Sequence, residues 1–158
     1  MRRLFIAIEL PADVASKIDM FARKLSEKLY VRSVPKEKLH ITMVFLGDPK
    51  TDDSDIISAV KRQKVGRRIE LDGLGAFPSF ERPHVLFIGV KTDLSDVYSG
   101  LGFLSDKPFV PHITICRFNG SIEPSLKERL EHTDFKAEFY ADGLSLFNSD
   151  IKTYTRLV

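Results

Sequence analysis

One tripeptide occurs twice in this chain. His40-Ile41-Thr42 lies inside the apolar run 39–46 (LHITMVFL), and His112-Ile113-Thr114 inside the run 109–118 (FVPHITICRF). Both runs are short and rich in β-branched and aromatic residues, so each reads as a β-strand. Side chains on a strand alternate faces, so His and Thr, two apart, point one way and the isoleucine between them the other. Any fold for this chain must therefore accommodate two strands that each offer an imidazole and a hydroxyl on one face. The chain has only four histidines, and this setting takes two of them. A single histidine on an apolar strand is more often a satisfied core residue than a catalyst. Two in identical triplets point instead to a general acid/base pair, since imidazole titrates near pH ~6.5.

The triplets sit in a larger repeat. Residues 3–10 read as a strand ended by Pro11, and residues 13–29 carry Val14, Ile18, Phe21, Leu25 and Leu29 at helical spacing. The first His strand ends at Gly47, a short helix covers residues 54–61, and residues 69–77 form another strand. The order then recurs: a strand at 83–90, a helix capped by Asp93, the second His strand, a short helix from Pro124 to Leu130, and a long strand at 135–147. A last strand covers residues 153–158. The two triplets are 72 residues apart, counted from His40 to His112, which exceeds solenoid periods and reads as a duplicated half. With no Gly-, Ser- or Pro-rich linker between the halves, roughly 1–80 and 81–158, one body with internal pseudo-symmetry is expected over residues 1–158.

Composition narrows the function class. At 158 residues, 43% apolar and 29% charged, the chain suits one soluble domain with a sizeable core. No segment approaches the ~20 apolar residues of a membrane helix. The basic start is followed by an apolar run that ends at Glu9 and Pro11, too short for a signal-peptide core. A lone cysteine, Cys116, excludes an internal disulfide, and a cytoplasmic protein is expected. Net charge is only +2. Lys61, Arg62, Lys64, Arg67 and Arg68 cluster, but Asp52, Asp53 and Asp55 precede them, and that polarity suits a helix dipole better than a phosphate patch.

Phosphodiester hydrolysis fits the paired triplets. It needs a base to take a proton from water and an acid to protonate the departing oxygen, on opposite sides of phosphorus. Two equivalent strands can supply these groups, and threonine hydroxyls can donate to the non-bridging oxygens. No metal is expected, because threonine is a poor ligand and no carboxylate or thiol gathers at useful spacing around either histidine. A non-catalytic nucleotide- or RNA-binding module is the alternative, although a binder would not require both His and both Thr.

These residues resemble the 2H phosphoesterases, and within them the RNA 2′,3′-cyclic phosphodiesterases, historically called 2′-5′ RNA ligases. The likeness rests on Arg3 through Pro11, Leu39-His40-Ile41-Thr42 through Gly47, and Pro111-His112-Ile113-Thr114 through Arg117. Phe77-Pro78-Ser79, Arg82-Pro83, Leu146-Phe147 and Tyr154 extend it. The resemblance implies an α+β fold of two pseudo-symmetric lobes, each an antiparallel sheet with helices packed outside, around a cleft lined by the His strands. It implies cofactor-free hydrolysis of RNA terminal 2′,3′-cyclic phosphates to 2′-phosphates, with joining or cleavage of 2′-5′ linkages in some members. His40 would protonate the leaving 3′ oxygen and His112 would activate water, although pseudo-symmetry makes the two nearly interchangeable. Thr42 and Thr114 would bind phosphate oxygens, and Arg117 would contact the substrate.

Parity bears on the remaining candidates. Arg117 is five positions after His112, so a regular strand turns it to the other face; it reaches the cleft only if the strand bulges, or ends near Asn119-Gly120. Phe45 has the same offset from His40, and it and Phe5 are either core aromatics or surfaces that contact the substrate. Cys116 shares the parity of His112, which places it at the border of the site. Ser33 stands where an aromatic is common in the family, so a stacking surface is missing there. His84 reads as a surface strand residue and His132 as a solvated helix end. With no heptads or long amphipathic extension, a monomer is expected.

Overall fold

A computed structural model describes residues 2–104, 109–118, 123–149 and 154–158. The elements run β1 (Leu4–Glu9), α1 (Ala12–Leu29), β2 (Arg32–Ser33), β3 (His40–Gly47), α2 (Asp53–Arg62), β4 (Lys64–Phe77), β5 (Val85–Val90), α3 (Ser95–Gly100), β6 (His112–Arg117), α4 (Pro124–Glu131), β7 (Lys136–Gly143), β8 (Ser145–Ser149) and β9 (Tyr154–Arg156). The fold is α+β, with two antiparallel sheets in the orders β3-β1-β8-β9 and β2-β6-β5-β4-β7. The first sheet carries His40 and the second His112. β3 and β6, one from each sheet, lie against one another.

Burial explains why the elements hold these places. Ile6, Ile8 and Ile41 of the first sheet and Ile69, Leu86, Ile88 and Ile113 of the second are at most 1% exposed. α1 adds Val14, Ile18, Ala22 and Leu25 from one face, as their 3.6-residue spacing requires, and packs on β2, β6 and β7. α2 packs on β8 and α4 on β4.

The sheets are not the two halves of the chain. β4, the last strand of residues 1–80, pairs with β5 in the His112 sheet, while β8, from the second half, pairs with β1 in the His40 sheet. Each sheet takes two strands from the other half, β2 and β4 in the His112 sheet and β8 and β9 in the His40 sheet. The long strand expected at 135–147 is in fact two, because the chain changes sheets between Gly143 and Ser145. Its burial phase slips at that point: Phe139 and Ala141 are buried before it, Leu144 and Leu146 after it.

The basic cluster also divides. Lys61 and Arg62 close α2, opposite Asp53 and Asp55 in its first turn. Arg67 and Arg68 lie on β4 and pair with Asp96 at 2.7 Å and Glu138 at 2.9 Å. Asp93 accepts the backbone N–H of Ser95 at 2.9 Å at the start of α3. The Asn119-Gly120 strand end lies outside the described residues, as does the connection from Ser105 to Pro108.

Candidate active site

The two His strands have one burial pattern. In β3 it runs His40 half-buried, Ile41 buried, Thr42 half-buried, Met43 and Val44 buried, Phe45 exposed. In β6 the same six classes fall on His112, Ile113, Thr114, Ile115, Cys116 and Arg117. Two consecutive buried residues break the alternation in each, and the pairing shows why. β1 matches Ile6 with Val44 and Ala7 with Thr42, leaving Met43 as an extra residue. β5 matches Leu86 with Cys116 and Phe87 with Thr114, leaving Ile115 extra. A bulge three residues after each histidine thus returns the fifth residue to the histidine face.

That bulge resolves the parity of Arg117 and Phe45. Both line one cavity of about 80 Å³ with His40, His112, Thr42, Thr114 and Phe5. Val34, Lys38 and Ser149 complete it, and among the described residues no acidic side chain lines it. Sequence reading did not single out those three; Lys38 has a signal in its place two residues before His40, whereas Ser149 has none. The bulge also corrects the placement of Cys116. It is fully buried, its thiol directed at the carbonyl of Ala22 (3.9 Å), and burial pushes its pKa up to about 12. It packs in the core and borders no site. His84 and His132 are both exposed and line none of this cavity.

Each imidazole is held in the same manner. His40 Nδ1 lies 2.6 Å from the carbonyl of Lys38, and His112 Nδ1 lies 2.7 Å from that of Val110, in both cases two residues upstream. A carbonyl only accepts, so Nδ1–H is the donor in both, and Nε2 is the acceptor nitrogen of each neutral ring. His40 Nε2 is 2.8 Å from the Thr42 hydroxyl. Burial lowers the His40 pKa below its ordinary 6.5; the Lys38 carbonyl opposes this, and the charges of His112 and Arg117 lower it further.

Aromatic rings set the walls. Phe5, only 3% exposed, stacks on His40 with centroids 4.8 Å apart and on Phe147 at 5.3 Å. Phe77 and Phe87 meet His112 edge-on at 5.1 and 5.3 Å and stack on one another at 4.4 Å. Phe87 lies across Gly75, where a Cβ would stand 2.3 Å from its ring. Phe45 is 60% exposed at the cavity mouth. A roomier cavity of about 360 Å³ between β4 and β7 mixes Glu70, Asp72 and Glu138 with Lys91 and Lys136, and holds none of these groups.

The chain matches known proteins over most of its length. The family model described as the 2′-5′ RNA ligase superfamily covers residues 11–152. A Methanocaldococcus jannaschii protein named RNA 2′,3′-cyclic phosphodiesterase is 30% identical over 94% of this chain and 92% of its own. An Archaeoglobus fulgidus protein of the same name is 34% identical over 73% and 72%. A crystal structure of a Thermus thermophilus protein superposes with a TM-score of 0.82 at 28% identity, covering 99% of this chain and 95% of the other. Escherichia coli LigT in its apo form gives 0.77 at 25% identity. With fold, repeated strands and family model in agreement, the chain belongs to the 2′-5′ RNA ligase superfamily, within the 2H phosphoesterases that its two His-x-Thr triplets resemble.

Proposed function

We propose that this protein hydrolyses the terminal 2′,3′-cyclic phosphate of RNA to a 2′-phosphomonoester, using His40 as general acid and His112 as general base. One observation carries the reading: two imidazoles from different sheets, both anchored through Nδ1, share a cavity with two threonines and Arg117, and among the described residues with no acid. The relatives named RNA 2′,3′-cyclic phosphodiesterase support the substrate. In the step, water oxygen bonds to phosphorus as the bond from phosphorus to O3′ breaks. His112 Nε2 takes the water proton, and His40 Nε2–H supplies one to O3′. Both histidines then exchange protons with solvent to reset. A lowered pKa makes the His40 imidazolium a stronger acid, and the negative charge of the incoming phosphodiester monoanion raises the protonated fraction.

Thr42 and Thr114 donate to the non-bridging oxygens, Arg117 contacts the substrate, and Phe45, with Phe5 behind it, offers the ribose or base an aromatic surface. The same site accommodates a 2′-5′ linkage. Residues 1–80 and 81–158 act as one unit, because the site takes a strand from each. Among the described residues no helix is long and apolar enough to cross a membrane. The exposed large apolar side chains, such as Met20, Tyr30 and Tyr140, come from separate elements, which supports a monomer, and an RNA substrate supports a cytoplasmic setting.

The test is hydrolysis of an RNA oligonucleotide ending in 2′,3′-cyclic phosphate, with EDTA present. Turnover should survive EDTA and fall roughly 10²- to 10⁴-fold in both His40→Ala and His112→Ala. A 2′-phosphate product identifies O3′ as the leaving oxygen. RNA binding without turnover would replace the enzyme with a binding module.

A further inference from the structure

We infer that Arg32 and Arg117 jointly hold a second phosphate, the internucleotide phosphate next to the reacting terminus, so that the site selects oligonucleotide ends over cyclic mononucleotides. The inference rests on the phosphodiesterase reading above. Its starting point is the register of β2 on β6, which sets Arg32 directly opposite Arg117. Opposed residues on antiparallel strands share a face with Cβ atoms about 5 Å apart, and like charges placed so repel.

Nothing nearby neutralises this pair. Among the described residues neither arginine forms an ion pair, which is also true of Arg3, Arg62, Arg82 and Arg129; what sets this pair apart is its opposed register beside the cavity. The face they share is the cleft face. Arg117 lines the cavity, and so does Val34, which follows Arg32 by two residues and therefore points the same way. Arg32 is exposed and stands just outside the cavity lining. Two forked guanidiniums side by side at the mouth of a site that takes a phosphate suit a second phosphate one nucleotide away. β2 itself supports this: it has two residues, and among the described residues the His40 sheet has no strand in the matching place beside β3. The competing explanation is that Arg32 only guards a sheet edge against pairing.

The experiment measures kcat/KM for three substrates with wild type and Arg32→Ala. They are a 2′,3′-cyclic mononucleotide, a dinucleotide ending in the cyclic phosphate, and that dinucleotide with a neutral methylphosphonate linkage. In wild type the neutral linkage should lower the preference for dinucleotide over mononucleotide about tenfold, the scale of one charge-assisted hydrogen bond. Arg32→Ala should lower it by a similar factor, and the two changes together should lose no more than either alone. A wild-type enzyme indifferent to the neutral linkage overturns the inference without recourse to any variant. So does an Arg32→Ala enzyme that keeps the preference, or that still loses tenfold on the neutral linkage. In those cases hydrolysis itself persists; only a wild type that turns over none of the three defeats the phosphodiesterase reading as well.

Discussion

The His40 and His112 strands share a backbone plan and differ in what surrounds it. Both anchor Nδ1 on a carbonyl two residues back, and both bulge three residues after the histidine. Yet His40 has an aromatic face stacked on it and a threonine on Nε2, while His112 meets only ring edges. The residue that the bulge brings round is Phe45 in one strand and Arg117 in the other. β6 is covered by β2, and β3 is a sheet edge. A shared strand plan fixes where groups point, and the substituents on that plan then differ: one side apolar, the other cationic.

The largest effect tests that division directly. A phosphodiester with a nitrophenolate leaving group needs no proton on departure. On it His40→Ala should recover most of its roughly 10²- to 10⁴-fold loss, while His112→Ala should stay defective. Recovery by His112→Ala instead would exchange the two roles. Next in size, Phe45→Ala and Arg117→Ala should each cost about tenfold or more in kcat/KM, but with opposite salt responses. The aromatic loss should be indifferent to salt and the arginine loss should shrink as salt rises. Equal salt slopes would erase the distinction between the two sides.

Smaller effects sharpen the comparison of the walls. Gly75 pairs with Phe87, whereas Ser145, in the corresponding place of the other sheet, pairs with Ala7. Gly75→Ala should therefore cost about 1–3 kcal/mol by overpacking, read as a drop in melting temperature, while Ser145→Ala should leave His112 resonances unmoved. The smallest effect is on titration. By NMR His40 should titrate below 6.5, and Arg117→Gln should raise its pKa, since one of the lowering charges is removed. A folded pKa below the unfolded value means that the unfolded chain binds more protons between the two. His40 therefore weakens the fold as pH drops below 6.5.

Much of this was legible from the residues alone. The His and Thr positions could be placed because strand alternation needs to hold for only three residues. The helices and most strands followed from spacing, with α1 observed at Ala12–Leu29 against an expected 13–29. The bulges were harder, since neither Gly nor Pro marks them. Their one trace is a doubled apolar pair, Met43-Val44 and Ile115-Cys116, at the same offset in both strands. That trace separates Arg117 from Cys116, which parity alone confused. The break in 135–147 had a trace as well, the phase slip at Asp142-Gly143. Strand exchange between the halves had none, because pairing between distant segments leaves no local period. The rings of Phe77 and Phe87 likewise look like any core aromatics until His112 is seen against them.

The crossed placement of β4 and β8 constrains how such a molecule can arise. A half-length chain with this connectivity lays its own His strand on one side of its first strand but has nothing of its own for the other side. It can close its sheets only by trading final strands with a second copy, giving a swapped homodimer with its histidines across a twofold axis. In that dimer Phe45 and Arg117 could never differ, since one codon would encode both. Joining two such copies into a single chain would free the two positions to diverge, and a lopsided cleft of this kind is what that freedom allows.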